Sequence, residues 1–274
     1  MEQPTLPATY PGSSAHQRLL RAITEYHTRQ PWALALLVFG SVGRGDWDDF
    51  SDLDLDVVIA DDVVVAPVAE INRLCAAIGE RPALIAPRRG DDGDVVLDSL
   101  AGFSIRYHPL AATSPNIIAS MRLLWGRLDV ERIRAAGLAN ARPSTETPET
   151  LVALCVRTAL DGATALARGR RWSALAALEQ ERDLLMTLTA LAHGAERPMQ
   201  GFERTADAGL RAELARTVAA WEPASLRAAL LAVCDLLAQR LDGFSAGLAQ
   251  LTEGERAALD QIRARLTEAG DPQP

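Results

Sequence analysis

Residues 38–59 constrain this chain more than any other stretch of its sequence. They read VFGSVGRGDWDDFSDLDLDVVI, which is an apolar run, a glycine-rich turn and a second apolar run with acids at alternate positions. Side chains on a strand alternate between its two faces, so Asp52, Asp54 and Asp56 are expected to share one face while the residues between them pack into a core. The pattern predicts a strand, a glycine-rich loop and a second strand that carries a row of carboxylates.

The row of carboxylates predicts a metal site. Aligned carboxylates repel one another, and an ordinary strand avoids such a row. Mg²⁺ removes the repulsion, because it takes oxygen ligands and often joins one or two carboxylates to substrate phosphates. Two such ions can stabilise both the attacking and the leaving oxygen in phosphoryl chemistry. The alternative is a hairpin with a solvated acidic face.

The glycine-rich turn supplies the groups that a phosphate needs. Gly40, Gly43 and Gly45 permit positive φ angles and a close approach of the backbone. Backbone N–H groups in such a turn can hold phosphate oxygens. Ser41 adds a hydroxyl, and Arg44 offers a charged fork to phosphate or else points to solvent. The pattern is not a Walker loop, because no Gly-Lys-Ser/Thr follows it.

These residues carry a resemblance to a known superfamily. Gly40-Ser41, within the pattern Gly-Ser-x-x-Arg-Gly, followed by Ser51-Asp52-Leu53-Asp54, resembles the signature of the nucleotidyltransferase superfamily that includes DNA polymerase beta. This version is similar to that of the minimal and the antibiotic (aminoglycoside and lincosamide) nucleotidyltransferases. The motif covers about twenty residues, and the strand order extends the resemblance to the first half of the chain.

The resemblance implies a reaction and its co-substrates. Gly40, Ser41 and Arg44 would hold the phosphates of an NTP, with ATP as the expected donor, and Asp52 and Asp54 would bind Mg²⁺. The enzyme would transfer a nucleoside monophosphate to a hydroxyl of a small molecule, with an aminoglycoside-like antibiotic as the expected acceptor, and release pyrophosphate. Two alternatives are a protein-AMPylating nucleotidyltransferase of the antitoxin type and a catalytically degenerate nucleotide-binding module.

The sequence offers more than one candidate for the third carboxylate of the site. Many members of the superfamily carry a third carboxylate on a later strand, and here Asp98 is the expected metal ligand, with Asp94 and Asp56 as alternatives. Asp98 is equally well interpreted as a turn residue that bonds its own backbone. The last strand of the sheet carries Arg106 and His108 instead of an acid. Arg106 would neutralise charge near a triphosphate, and His108 is expected to be structural.

The general base that accepts the proton of the acceptor hydroxyl is expected in the second half of the chain. In kanamycin-type nucleotidyltransferases a glutamate of the helical domain takes this role, and Glu179 is its nearest analogue. The alternative for Glu179 is an exposed ion pair with Arg182, three residues away on the same helix face.

Trp47, between the two strands, would stack on a ring of a substrate or anchor its loop, and anchoring is favoured. Trp125, Trp172 and Trp221 are expected to be packing residues.

Composition narrows the partners and the compartment. The chain has 274 residues, 48% of them hydrophobic, and a net charge of −8. The negative charge disfavours a nucleic-acid surface and is compatible with a cationic small substrate. Cysteines are three, far apart and without metal or disulfide spacing, which favours the reducing cytoplasm. No apolar run reaches the length of a membrane span, so no membrane contact is expected.

Turn residues and hydrophobic periodicity predict an α+β fold. The first domain, residues 1–140, is expected to be a small mixed sheet with helices over residues 14–29, 67–78, 116–124 and 129–136 and strands over residues 32–39, 51–60, 82–86, 94–98 and 103–108. Prolines and threonines mark a boundary over residues 141–150. The second domain, residues 141–274, is expected to be a helical bundle with helices over residues 151–167, 172–192, 210–220, 224–241 and 253–269.

Overall fold

The structure is a computed structural model that describes residues 7, 9–88, 90–99, 101–142, 147–195 and 197–268. The chain divides into two compact units, Met1–Pro143 and Ser144–Pro274. The region in which the sequence predicts the domain boundary includes residues 143–146, which lie outside the described residues. Each unit has its own hydrophobic core.

The first unit is built on a six-stranded mixed sheet in the order β3-β4-β5-β2-β1-β6. All neighbouring strands are antiparallel except β2 and β5, which run parallel. Its elements, in chain order, are α1 (Ser14–Thr28), β1 (Ala33–Phe39), α2 (Gly40–Arg44), β2 (Leu53–Ile59), α3 (Pro67–Ile78), β3 (Pro82–Pro87), β4 (Asp92–Leu97), β5 (Gly102–Pro109), β6 (Arg122–Gly126) and α4 (Val130–Ala139). Two short 3₁₀ turns, Leu110–Ala112 and Pro115–Ile117, connect β5 to β6.

Local sequence signals set the ends of the helices that the sequence predicts correctly. The Ser13 side chain accepts a hydrogen bond from the N–H of His16, and the His16 ring accepts one from the N–H of Ser13, which together form a capping box before α1. Pro67 opens α3, where its missing N–H costs nothing. Gly79 ends α3 in the left-handed conformation with φ +76°.

The two faces of the sheet differ, and this difference positions the acids. Leu53 and Leu55 belong to a core that also contains residues of α1 and α3, whereas Val58 packs with Ile117 and Ile133 on the opposite face. Because β2 alternates, Asp54 and Asp56 lie on the same face as Val58. Asp54 and Asp56 are therefore turned away from the α1–α3 layer, whereas Asp52 precedes β2 and lies beside residues of α1, so the three acids do not share one face.

Two predictions for the first unit are wrong. The glycine-rich loop is a short helix, α2, that begins directly at the end of β1. Residues 116–124, expected to be helical, form a 3₁₀ turn and then β6, which pairs with the outer edge of β1. Pairing at a sheet edge satisfies the backbone of both strands, and this long-range gain overrides the local helical pattern. Trp125 is buried as expected, but in a strand.

The second unit is all helical in its described residues. Its elements are α5 (Pro148–Ala167), α6 (Arg171–Ala192), α7 (Pro198–Thr205), α8 (Ala208–Ala215), α9 (Pro223–Ser245) and α10 (Glu253–Glu268). The core is made by apolar faces of these helices, among them Leu178, Leu185, Val233 and Phe244. α7 is absent from the sequence prediction, and α8 ends five residues before the predicted end at residue 220.

Two tryptophans and one helix of the second unit depart from expectation. Trp172 is 77% exposed and Trp221 is 41% exposed, so neither is a core packing residue. Their rings contact each other with centroids 4.5 Å apart.

The helix α5 is apolar and long enough to span a membrane by length and composition alone, whereas the sequence analysis expects no run of this length. Of its most apolar stretch 56% is buried inside the bundle, which is the property of a core helix.

Candidate active site

The Asp54 carboxylate lies where three strands and α2 meet. Asp54 stands opposite Phe39 of β1 and Ser104 of β5. The Ser104 hydroxyl donates a hydrogen bond to Oδ1 of Asp54 at 3.1 Å. A Cβ atom added to Gly40 would lie 2.0 Å from Oδ2 of Asp54, and Gly40 has φ +67°. Glycine is therefore required at position 40, both for its backbone conformation and for the space that the carboxylate occupies.

The helix α2 is held in place by the segment that precedes β6. The N–H of Gly40 donates to the Ser120 hydroxyl at 3.3 Å. A Cβ atom on Gly43 would lie 2.2 Å from the Ser120 carbonyl oxygen, so a glycine is needed for this approach as well. Gly45 ends the helix with φ 92° and donates to the Ser41 carbonyl. The Ser41 hydroxyl has no hydrogen-bond partner among the described residues, so it is available to a ligand.

Two arginines lie at the end of α2. Nε of Arg44 donates to both carboxylate oxygens of Asp46 at 3.2 Å, so the guanidinium already faces an acid. Arg122 of β6 donates to the Arg44 carbonyl at 3.4 Å and makes no ion pair within the described residues. The sequence reasoning missed Arg122, because residues 116–124 were expected to form a helix that would not bring this side chain beside the motif.

Asp52, the first acid of the motif, is placed differently from Asp54. It precedes β2, is exposed, and makes no hydrogen bond or ion pair with any described residue. Its Cβ lies 3.8 Å from the position that a Cβ on Gly102 would take, at the start of β5. The fold therefore fixes Asp54 and leaves the carboxylate of Asp52 open to a ligand.

Asp56 is buried and already partnered. Only 1% of the residue is exposed, and its Oδ2 lies 2.8 Å from Nε2 of His108, which is buried to the same extent. Nδ1 of His108 donates to the Pro109 carbonyl at 2.9 Å. Both ring nitrogens of His108 face oxygen atoms, and the pair joins β2 to β5 inside the unit. The contacts of His108 are those of a structural residue, as expected from the sequence.

The remaining candidates for a third acid lie on or beyond β4. Asp94 stands opposite Ser104 and forms an ion pair with Arg88 at 3.0 Å. Asp98 lies in the turn after β4, where its carboxylate is 3.7 Å from Arg81. Among the described residues no group of three or more histidines, cysteines and acids is arranged to hold a metal ion. The third metal ligand stays a prediction from the sequence.

Arg106, the other polar residue predicted near a triphosphate, is paired with an acid that directly precedes β4. It lies on β5 opposite Asp56, and its Nε donates to Asp91 at 2.7 Å. The guanidinium is partly exposed, so it is not locked in the core.

The acidic segment of α6 contains an exposed and a buried glutamate. Glu179, the predicted base, is exposed, and its proposed partner Arg182 donates to the Thr217 carbonyl at 2.9 Å. Glu181 is completely buried, and neither carboxylate oxygen has a hydrogen-bond partner in the described part of the chain. Burial raises the pKa of Glu181 well above its ordinary value, and contacts with Cys155 and the Ala159 backbone offset this only in part.

The sequence contains a signal for the buried position of Glu181. Residue 181 falls three positions after Leu178 and four before Leu185, both in the core of the bundle. This spacing places its side chain on the apolar face of α6.

The loop between α2 and β2 is anchored through an aromatic contact. The rings of Trp47 and His16 meet edge to face with centroids 6.0 Å apart. Nε2 of His16 donates to the Ser51 carbonyl at 2.7 Å. Trp47 thus anchors the loop on α1, as the favoured alternative predicts. Phe50, in the same loop, is 97% exposed.

The fold and this site define an α+β sheet protein whose motif helix and acid-bearing strand meet at one end of the sheet. No family model matches the chain. A comparison with curated proteins also gives no match. Among solved structures, the chain is similar to an aminoglycoside 6-adenyltransferase from Bacillus subtilis, with 11% identity, a TM-score of 0.39, and coverage of 92% of this chain and 99% of the other.

A second solved structure, a nucleotidyltransferase-like protein from Exiguobacterium sibiricum, gives 15% identity and a TM-score of 0.39. It covers 91% of this chain and 88% of the other. Because both TM-scores and both identities are low, we infer the function from the residues of this chain.

Proposed function

We propose that this chain is a Mg²⁺-dependent nucleotidyltransferase that transfers AMP from ATP to a hydroxyl of a small molecule. The observation that carries the proposal is the Asp54 carboxylate, which lies against Gly40 and accepts a hydrogen bond from Ser104. The Gly-Ser and Asp-x-Asp parts of the motif thus meet in the folded chain. A chance coincidence of two short patterns would not require this contact.

The acids of the site fit a magnesium ion. Asp52 and Asp54 supply hard oxygen ligands, and Mg²⁺ is usually held by one or two carboxylates together with substrate phosphates. Asp52 has no partner in the described residues, and position 40 is kept free of a side chain beside Asp54. When bound, the ion would polarise the α-phosphoryl group and neutralise charge on the phosphates. Asp98 is retained as the proposed third ligand.

Other residues of the chain would bind the nucleotide and move the proton. The Ser41 hydroxyl would donate to a phosphate oxygen, and the guanidinium groups of Arg44 and Arg122 would balance its charge. The acceptor oxygen forms a bond to the α-phosphorus as the bond to the β-phosphate oxygen breaks, and pyrophosphate leaves. The acceptor proton passes to a base, for which Glu179 is proposed.

The acceptor is proposed to be a cationic, hydroxylated small molecule of the aminoglycoside type. The net charge of −8 attracts such a molecule over distance. An ATP donor implies the cytoplasm as the working compartment.

The experiment is an assay for pyrophosphate release. Purified protein is incubated with Mg²⁺, labelled ATP and a panel of aminoglycosides and lincosamides. Release that depends on one acceptor and stops with EDTA is expected. Asp54→Asn should lower the rate by at least about 100-fold, because the ligand charge is lost while the amide fits the same space. Asp62→Asn, the same change at an exposed acid outside the motif, is the control and should leave the rate unchanged.

Two results would contradict the proposal. Retained turnover in Asp54→Asn would remove the metal assignment. A melting temperature of Asp54→Asn far below that of the wild type would show that Asp54 acts in folding instead.

A further inference from the structure

Ser104 on β5 stands between two acids of neighbouring strands. The register places it directly opposite Asp54 of β2 on one side and opposite Asp94 of β4 on the other. Residues that pair across neighbouring strands share one face of a sheet. Asp54, Ser104 and Asp94 therefore form a row across three strands, on the face that is turned away from the α1–α3 layer.

The Ser104 hydroxyl has a single proton for the two acids beside it. A serine hydroxyl can donate only one hydrogen bond. That bond goes to Oδ1 of Asp54, at 3.1 Å. The carboxylate of Asp94 lies 3.0 Å from Nε of Arg88, so Asp94 has a charged partner of its own. The proton of Ser104 is thus committed to Asp54.

This hydrogen bond orients the Asp54 carboxylate. The last torsion of an aspartate side chain has a broad distribution, so a bond to one of its oxygens favours one orientation of the group. With Oδ1 held on the β5 side, Oδ2 lies 2.0 Å from the position that a Cβ on Gly40 would take. The hydroxyl is neutral, so this bond orients the carboxylate without cancelling its charge.

The next acid of β2 shows a contrasting arrangement. The Asp56 carboxylate contacts Nε2 of His108, also on β5, and both side chains are buried. An imidazole can take up a proton and carry the opposite charge, and burial closes this pair to a ligand. Asp54 and Ser104 are only partly buried. Strand β5 therefore gives one acid of β2 a structural partner and the other a partner that orients it.

A group that orients the ligand of a metal ion affects how tightly the ion is held. Loss of such a hydrogen-bonding partner typically lowers metal affinity or activity by about 10–100-fold. We propose that Ser104 is a positioning residue, which acts through Asp54 and holds its carboxylate in the orientation that binds the divalent cation. This inference rests on the proposed function for its identification of the ion as the magnesium of the transfer reaction.

A pair of variants of nearly equal shape tests the hydroxyl. Ser104→Thr keeps it, whereas Ser104→Val replaces it with a methyl group, and both residues suit a strand. Mn²⁺, which prefers oxygen ligands as Mg²⁺ does, is titrated into the full chain and followed by EPR. An ATP analogue with a carbon bridge between the α- and β-phosphorus is present, and a titration without protein gives the Mn²⁺ that the analogue holds by itself. Ser104→Val should bind Mn²⁺ at least about tenfold more weakly than Ser104→Thr, which should stay within about threefold of the wild type.

Two further variants complete the set. Ser104→Ala removes the hydroxyl without adding a methyl group, so it should bind Mn²⁺ as weakly as Ser104→Val and serves where the larger side chains prevent folding. Ser173→Ala is the control, because Ser173 is an exposed serine of α6 that makes no hydrogen bond with any described residue. It should bind Mn²⁺ as the wild type does. Melting temperatures within about 3 °C of the wild type show that folding is intact.

The outcomes separate this inference from the proposed function. Equal Mn²⁺ affinity of Ser104→Thr and Ser104→Val, or of Ser104→Ala and the wild type, would overturn the positioning role, and pyrophosphate release by the wild type would leave the proposed function intact. If the hydroxyl is needed for Mn²⁺ binding but no acceptor releases pyrophosphate, the role of Ser104 stands and the proposed transfer is wrong. A wild type that binds no Mn²⁺ beyond that held by the analogue would also overturn the inference.

Discussion

At the scale of single residues, Gly40 tests whether the motif helix and Asp54 act together. Gly40→Ala places a methyl group 2.0 Å from Oδ2 of Asp54, so the carboxylate must move. We expect pyrophosphate release to fall by at least about 100-fold, and the free energy of unfolding to fall by about 1–2 kcal/mol because alanine disfavours φ +67°. Steady-state kinetics and urea denaturation measure the two effects.

Gly169→Ala is the matched control for this change. Gly169 also has φ +67°, but nothing lies within 4 Å of the position of its Cβ. The variant should lose a similar free energy of unfolding and keep full activity. If the two variants lost activity equally, backbone strain would explain the effect and the contact with Asp54 would be irrelevant.

Glu181 makes the stability of the chain depend on pH. Burial raises its pKa well above the ordinary value near 4.5, so between these two values the folded chain binds a proton that the unfolded chain has released. The free energy of unfolding therefore falls as pH rises through this window. Relative to Glu181→Gln, the wild type should lose up to about 1.4 kcal/mol of unfolding free energy per pH unit as pH rises above about 4.5, until Glu181 ionises in the folded chain.

The measurement is urea denaturation of both proteins across this range. Glu179→Gln is the control, because Glu179 lies two residues away on the same helix and is exposed. It should follow the pH dependence of the wild type. A wild-type stability that runs parallel to that of Glu181→Gln at every pH would show that Glu181 is already ionised in the folded state.

At the scale of elements, the parallel pair β2–β5 contains a buried carboxylate–imidazole pair. Asp56 and His108 have side chains that are 2% and 1% exposed. His108→Leu leaves the Asp56 carboxylate buried without its partner, and we expect the free energy of unfolding to fall by about 3–5 kcal/mol. Asp91→Asn breaks the neighbouring pair with Arg106, whose side chains are 36% and 28% exposed, and should cost less than about 1 kcal/mol. Similar losses of unfolding free energy in both variants would show that burial does not make the Asp56–His108 pair more important than the Asp91–Arg106 pair.

Elements with local signals could be predicted from the sequence, and elements defined by long-range pairing could not. α1 and α3 carry capping residues and a regular apolar stripe, and their predicted limits agree with the structure to within about two residues. β6 has no such signal, because its strand conformation follows from pairing with β1. The motif residues fold into a helix instead of a loop, since Gly45 supplies the left-handed end that closes a short turn.

The residues of the candidate site also fall into those that the sequence predicts and those that depend on long-range pairing. Gly40, Asp52 and Asp54 could be identified from their spacing in one segment. Ser104, Ser120 and Arg122 could not, because they enter the site through the strand register of β5 and through the segment around β6. Sequence reasoning recognises a pattern of residues, whereas the partners of a carboxylate depend on which strands become neighbours.

At the scale of the whole molecule, each unit contains the hydrophobic core that its own folding requires. The clusters of residues 147–268 and those of residues 7–142 share no member in the described chain. A unit of this length is a typical domain. A fragment of residues 1–143 is therefore expected to unfold cooperatively and to bind ATP in the presence of Mg²⁺ within about threefold of the affinity of the full chain.

Circular dichroism and calorimetry test the fragment. The same fragment with Asp54→Asn is the control, and its ATP binding should no longer respond to Mg²⁺. A fragment without a cooperative transition would show that the first unit depends on the second for its stability.

The hydrogen bond between Gly40 and Ser120 has a consequence for biosynthesis. It joins residues 80 positions apart, and the bond between Asp54 and Ser104 spans 50. Contacts of such long sequence separation form slowly, since the chain must close large loops before it gains them. A nascent polypeptide that ends shortly before Ser120 already contains the whole signature motif and Ser104, yet it lacks Ser120, which the N–H of Gly40 contacts. The proposed capacity to bind a nucleotide would therefore arise late in translation, after β5 and the segment before β6 have emerged from the ribosome.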